Sequence, residues 1–272
     1  MKVLILCAGY GTRFVRDVEA SSDPEVLALK DVPKPLLPVG NKPLIKHWID
    51  QVSAMQQFDQ IGLIVNDRSG NKFEIEALQA GIKEPKLLVL ASDGSSKNEE
   101  RIGAVACIKV GVDKCLGGVE RAGHVLVIAG DTLFDSRFSL EEFIKEFETV
   151  NAKSGESASL IVHCPCPEER VHKHGIIETD EEGRVVNFLE KPSPEETSSR
   201  KQCPCFYILH NDHLRLLDEF LEDTKDMDLK ARDATGNFLS FLIRKKPVYS
   251  HFVPKRYDVG GLESYLECCK DF

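Results

Sequence analysis

The chain has 272 residues, 42% of them hydrophobic and 29% charged. This supports one large core and excludes a disordered or fibrous polymer. A formal net charge of -9 argues against a general nucleic-acid or membrane-surface binder, so any polyanion the chain handles must meet cations gathered locally. No apolar run approaches the ~20 residues of a membrane span. Met1 to Cys7 leads straight into a glycine loop rather than a signal-like apolar stretch. The nine cysteines are expected as reduced thiols in a cytoplasmic protein.

In chain order, Val3 to Leu6 are apolar without alternation, as a central parallel strand is. Gly9 and Gly11 then allow a sharp turn and close approach of a ligand. Arg13, Arg16, Lys30, Lys34, Lys42 and Lys46 collect cations in one segment, with Arg13 at the rim suited to phosphate oxygens. A dinucleotide fingerprint fits poorly, because Phe14 stands where its third glycine belongs. Leu44, Ile45, Trp48, Ile49, Val52 and Met55 recur at helix spacing, as do Ile102, Val105, Ile108 and Val112. Gln60 to Val65, Lys86 to Leu90 and His124 to Ala129 read as short strands. Strands alternating with helices predict a parallel sheet covered on both faces. Leu140 to Val150 is a predicted helix, capped by Ser139 with Glu142 three residues on.

The second half changes character. Ser159 to His163 is a predicted strand. Gly175 to Thr179 and Val185 to Glu190 flank Asp180-Glu181-Glu182-Gly183 as a hairpin. Cys205 to Leu209 and Val248 to Val253 read as strands; His213 to Leu221, Ala234 to Arg244 (capped by Asp233) and Leu262 to Lys270 read as helices. Cys164-Pro165-Cys166 and Cys203-Pro204-Cys205, with His163, His172 and His174 nearby, do not match the usual C-x₂-C zinc spacing and are expected to be buried, inert thiols.

Asp131 follows Ala129-Gly130 at the end of a strand, where open α/β sheets bind ligands. AGYGTRF followed by PKPLLPVGNKPL, with GD, EKP and D-x-G in that order downstream, resembles the sugar-phosphate nucleotidylyltransferases. The resemblance covers nearly the whole chain. It implies an α/β, Rossmann-like nucleotide-diphospho-sugar transferase fold with a mixed, mostly parallel sheet and helices on both faces. The expected organisation is a single domain, 1–272, with a nucleotide-binding half (1–150) and a sugar-phosphate-binding half (151–272). The implied reaction converts an NTP and a sugar 1-phosphate into an NDP-sugar and pyrophosphate, with Mg²⁺ on Asp131 and Asp258. Leu6, Ala8, Gly9, Gly11, Thr12, Arg13, Lys34 and Gly103 are implied nucleotide contacts, and Arg13, Lys34 and Asp131 carry the catalytic charges. Gly175, Glu190 and Lys191 are implied contacts of the sugar phosphate.

The chain departs from that pattern in three places. Arg256-Tyr257-Asp258-Val259-Gly260 lacks the Trp and Thr that usually flank the second carboxylate. Arg101-Ile102-Gly103-Ala104 replaces the usual Gly-Thr-Ala, which leaves the base open. Asp17 to Asp31 lengthens the gap between Arg13 and Lys34, as a lid over the triphosphate or as a tolerated surface insertion. Two other readings stand beside the enzyme: a catalytically silent subunit that binds an NDP-sugar, and a cytidylyltransferase acting on a non-sugar phosphate such as phosphocholine. The sequence leaves the sugar open and admits a homo-oligomer.

Overall fold

The computed structural model describes residues 1–272, the side chain of Ser154 aside. Its strands in chain order are β1 (Lys2–Leu6), β2 (Pro38–Val39), β3 (Lys42–Pro43), β4 (Gln60–Val65), β5 (Leu87–Ser92), β6 (Val125–Ala129) and β7 (Thr132–Phe134), followed by β8 (Ser159–Pro165), β9 (Gly175–Thr179), β10 (Val185–Glu190), β11 (Lys201–Gln202), β12 (Phe206–Leu209), β13 (Val248–Phe252) and β14 (Arg256–Asp258). One sheet runs β10-β9-β11-β8-β12-β6-β1-β4-β5, with β13 on the free edge of β8. β5, β4, β1 and β6 are mutually parallel, and β12 joins β6 antiparallel. The sheet is therefore mixed with a parallel core, and it crosses without a break from the first half of the chain to the second.

The alternation of side chains along β1 shows why both faces are covered. Val3 and Ile5 enter one apolar layer and Leu4 the other. The first layer holds Trp48, Phe143, Tyr265 and Cys268 from the helices Leu44–Ser53, Leu140–Ser154 and Leu262–Asp271; the second holds Val105, Ile108, Leu217 and Phe238 from Ala104–Cys115, Leu216–Asp223 and Thr235–Ile243. Ser139 caps its helix as the sequence implies, accepting from Glu142 N at 3.2 Å. The 175–190 hairpin pairs Gly175 with Glu190.

Asp233 behaves differently from its expected role. The helix Thr235–Ile243 is preceded by Ala234 with no side-chain cap, and Asp233 ends the short helix Lys230–Asp233, where it pairs with Arg101 at 3.2 Å. Among the described residues, no helix is long and apolar enough to cross a membrane.

The chain winds from β1 outward to β4 and β5, then returns to place β6 on the other side of β1. The connections leaving β1 and β6 diverge, which opens a crevice beyond their carboxyl ends. Cys7 to Gly9 and Gly130-Asp131 form its lips.

Candidate active site

The floor of the crevice is a two-stranded ribbon. β7 and β14 pair antiparallel with Asp258 opposite Thr132, and Val259 N donates to Asp131 O at 3.0 Å. This register brings Asp131 and Asp258, far apart in sequence, to adjoining positions on paired strands, and both line one cavity. The ribbon is anchored from below: the buried Trp48 indole donates to Thr132 O at 2.7 Å and packs in an aromatic cluster with Phe134, Phe138 and Phe206. Such pairs contribute about 0.5–1.5 kcal/mol each beyond their buried area, so the acids rest on a stiff support.

Each acid has a basic partner. Lys34 Nζ lies 2.6 Å from Asp131 Oδ2, its side chain only 13% exposed. It starts the short 3₁₀ turn Lys34–Leu36, with Pro33 before it and Pro35 within it holding the backbone. Burial opposes ionisation of Asp131, but Lys34 and then Arg256 outweigh it and hold the carboxyl below its usual range. Arg256 Nη2 lies 3.2 Å from Asp258 Oδ1, and its guanidinium donates to Thr132 Oγ1 at 3.1 and 3.3 Å.

Arg13 completes the charge at the rim. It is exposed and has no hydrogen-bond or ion-pair partner among the described residues. Gly260 makes room for it, since a Cβ there would stand 2.8 Å from Arg13 Nη2. Gly11 (φ +62) turns the chain into the helix Thr12–Glu19, against the stem of Lys34. A Cβ on Gly9 would meet nothing within 4 Å, so the space there is open to a ligand.

A cavity of about 430 Å³ joins both halves across this floor. Its first end is lined by Leu6, Ala8, Gly9, Gly103 and Ala104, and its far end by His174, Gly175, Glu190 and Lys191. A neighbouring cavity of about 210 Å³ takes in Gly11, Thr12, Arg13, Lys34 and Asp131. All the residues expected to bind nucleotide, metal or sugar phosphate thus line one connected site.

The chain matches the family described as "Nucleotidyl transferase" over residues 2–272. The chain belongs to the nucleotidyl transferase family. It is 25% identical over 301 residues to a UTP–glucose-1-phosphate uridylyltransferase of Pseudomonas aeruginosa, a match covering 98% of this chain and 93% of that protein. It is 28% identical over 193 residues to mannose-1-phosphate guanylyltransferase 1 of Arabidopsis thaliana, covering 71% of this chain and 45% of that protein. Its fold matches a UDP-glucose pyrophosphorylase solved with UDP-glucose, at a TM-score of 0.72 and 23% identity, over 99% of this chain and 97% of that one. The family resemblance read from the sequence and the Rossmann-like fold therefore hold, and the chain is a nucleotidyltransferase enzyme.

Within this nucleotidyl transferase, several local features differ from the sequence reading. Lys42 and Lys46 do not reach the crevice; both pair with Asp50, at 2.5 and 2.8 Å. Lys30 pairs with Glu19, and Arg16 with its neighbour Asp17. Of the six clustered cations, Arg13 and Lys34 reach the floor. Asp17 to Asp31 closes the helix Thr12–Glu19 and adds the turn Pro24–Leu27. Its Glu19, Lys30 and Asp31, with Arg16, Arg68 and Lys72, line an adjoining cavity of about 330 Å³ that shares Gly9, Gly11, Thr12 and Lys34 with the site. Gly103 (φ +94) precedes the helix Ala104–Cys115, and a Cβ there would stand 2.7 Å from Arg232 O, so only glycine fits. The place of a Cβ on Gly175 is filled by Phe188, at 2.5 Å.

Lys191 is the one non-glycine with positive φ (+53) among the described residues. Its backbone N donates to His174 O at 3.1 Å, which holds the strained turn and lifts the side chain toward the cavity mouth, 60% exposed. Beside it, burial pushes the Glu190 carboxyl up, while Lys191 pulls it down. His174 is pushed down to about 4 by burial and by Arg256, so it faces the cavity as neutral imidazole near pH 7. Sequence reasoning missed His174 and Arg256 as site residues. The signal for Arg256 was its place two residues before Asp258.

The thiols of Cys164, Cys203 and Cys205 are pushed up, first by burial. Among the described residues, no group of three or more His, Cys, Asp or Glu is placed to hold a metal ion.

Proposed function

We propose that the chain transfers a nucleotidyl group from an NTP to a sugar 1-phosphate, forming an NDP-sugar and releasing pyrophosphate, with Mg²⁺ as cofactor. The carrying observation is the single cavity that runs from the glycine loop, past Asp131 and Asp258, to Lys191. A phosphate monoester with a second pKa of ~6 is already a nucleophilic dianion near neutrality. No protein base is then needed. The work is to align two mutually repelling anions and to offset charge at the α-phosphate.

Arg13 and Lys34 would hold the donor phosphates and the departing pyrophosphate, while Lys191 holds the acceptor phosphate and Glu190 accepts from sugar hydroxyls. Asp131 and Asp258 fit Mg²⁺ as a donor set: two hard carboxylates lining the same cavity, with the other coordination positions left to phosphate oxygens and water. Bound there, Mg²⁺ would supply Lewis-acid neutralisation at the α-phosphate. The nine unpaired cysteines support a reducing compartment, and we propose the cytoplasm.

The named relatives include both uridylyl and guanylyl transferases, so likeness alone leaves the base open. The test is a screen of five NTPs against a panel of sugar 1-phosphates, read by Mg²⁺-dependent pyrophosphate release. Turnover with at least one pair is expected. Nucleotide binding by folded protein with no turnover for any pair would replace this reading with a silent NDP-sugar-binding subunit.

A further inference from the structure

The triphosphate and acceptor ends of the site are marked by Arg13, Lys34 and Lys191; at the remaining end the cation that lines the cavity, Arg101, is already paired with Asp233. Beyond Gly9 the cavity is lined by Leu6, Ala8, Gly103, Ala104 and Cys107, small or apolar groups suited to a flat ring rather than to phosphate. Two carboxylates stand there. Asp233 is paired with Arg101, which leaves Asp93 without a basic partner among the described residues.

Asp93 is held in place. Its Oδ1 accepts from Ser95 N at 2.9 Å and from Ser95 Oγ at 2.8 Å. Ser95 is buried, and its Oγ in turn accepts from the hydroxyl of Tyr10, in the glycine loop, at 3.0 Å. The strong acceptor positions of Oδ1 are thus filled. Oδ2 has only the weak thiol of Cys107, at 3.7 Å, and burial together with Asp93 pushes that thiol up to about 12, so it stays protonated. A fixed carboxylate acceptor with spare lone pairs therefore lines this end of the cavity.

We infer that Asp93 reads the donor base and selects nucleotides whose base carries an exocyclic amino group over those of uracil and thymine. The inference rests on the nucleotidyl-transfer reading for the placement of the triphosphate. An exocyclic amine gives a carboxylate a charge-assisted N–H donor. Guanine, with N1–H beside N2–H, presents two such donors in a row. Uracil and thymine offer one imide N–H between two carbonyl oxygens, and both oxygens face the carboxylate with like partial charge. A site built around one hydrogen-bonding pattern rejects the wrong one by leaving its buried groups unpaired.

The test compares GTP, ATP and CTP with UTP and dTTP, by calorimetric binding to the full chain and by kcat/KM wherever turnover is seen. At least one amino-bearing nucleotide is expected to exceed both UTP and dTTP by about 10- to 100-fold. Asp93→Asn supplies an N–H as well as an acceptor, the complement of an imide edge, and should shrink that gap at least about tenfold. UTP or dTTP binding as well as the best amino-bearing nucleotide, or a gap unchanged in Asp93→Asn, overturns the inference. The comparison in the unmodified chain decides the matter should Asp93→Asn not fold. Binding selectivity without turnover would count against the proposed reaction and for this base reader; turnover with UTP as the preferred donor would do the reverse.

Discussion

Arg256 Nη2 stands 3.2 Å from Asp258 Oδ1, while the same guanidinium donates to Thr132 Oγ1, the residue after Asp131. One side chain thus links Asp258 to the residue that follows Asp131. Arg256→Met would leave Asp258 without its partner in a largely buried setting, Arg256 being 11% exposed. Loss of one member of such a pair should cost about 1–3 kcal/mol of stability, read as a lower Tm. Added Mg²⁺ should raise the Tm of Arg256→Met more than that of the unmodified chain, because it offers the same carboxylates a replacement cation. Equal Mg²⁺ shifts in both proteins would separate Arg256 from the metal site.

Asp131→Asn and Asp258→Asn test the acids themselves. Asparagine keeps an oxygen to accept from Lys34 or Arg256, so the fold should hold. Each substitution should lower kcat/KM by several kcal/mol equivalent, on the order of 10²- to 10⁴-fold, by removing the charge that places Mg²⁺. Chelation of the unmodified enzyme should abolish turnover. An Asp258→Asn enzyme with unchanged kcat would leave Asp131 as the sole protein ligand.

Gly260 offers a test of Arg13 that does not touch Arg13. The Cβ of Gly260→Ala would lie 2.8 Å from Arg13 Nη2, the flexible end of a long side chain, and the backbone there is not in the left-handed region. The arginine, not the fold, should move. We expect Gly260→Ala to lower kcat with a Tm change of less than about 2 °C, and the Arg13→Ala/Gly260→Ala double variant to be little worse than Arg13→Ala alone. Full additivity in that cycle would mean that the two residues act separately.

Much of this site was legible in sequence, and the gaps have physical causes. β1, β4 and the glycine loop announce themselves through continuous apolar runs ended by Gly9 and Gly11. The β7–β14 ribbon does not: each strand is three residues long, and its partner is far away in sequence. Only long-range pairing defines it, and no local period reports such pairing. The helix Thr12–Glu19 is hidden because it buries only Phe14 and Val18, too few for a visible stripe. Lys46 and Asp50, by contrast, lie at i,i+4 on the helix Leu44–Ser53, so their pairing could have been read in advance and Lys46 removed from the phosphate-binding set. Asp93-Gly94-Ser95 carries the local signal of an Asx turn; what no local pattern reports is the glycine-loop Tyr10 closing on Ser95.

Three half-buried histidines and the buried His213 are expected to set the acid limit of the fold. His124, His163, His174 and His213 are each pushed down to about 4, with burial the leading cause in every case. His213 has both ring nitrogens engaged, with Ser159 Oγ at 2.8 Å and Ser157 O at 3.0 Å. In the unfolded chain these groups titrate near ~6.5. Between about pH 6.5 and 4 the unfolded state therefore binds more protons than the folded one, and stability falls as pH falls through that window. The lowered carboxyls Asp50 and Asp271 lose their contribution only below it. Calorimetry should show the Tm dropping by more than about 5 °C from pH 7 to pH 4.5; a flat profile over that range would mean that the histidines protonate freely in the native state.

Lys191 separates acceptor from donor. It sits at the cavity end opposite the glycine loop, on a backbone strained to φ +53 and pinned by His174 O. A contact that Lys191 makes with the acceptor phosphate exists in the ground state and persists in the transition state. Its loss should appear mainly as a higher KM for sugar 1-phosphate, on the order of tenfold or more, with little change in the KM for NTP. Arg13→Ala should differ, lowering kcat, because that cation faces charge that develops during transfer. Glycine at 191 relieves the strained φ while alanine retains it, so comparing Lys191→Gly with Lys191→Ala divides the effect into charge and backbone. Steady-state kinetics with each substrate varied in turn reads all three variants. A Lys191→Ala enzyme that loses affinity for NTP and keeps it for the sugar phosphate would place the hairpin on the donor side and remove the best local support for a sugar acceptor.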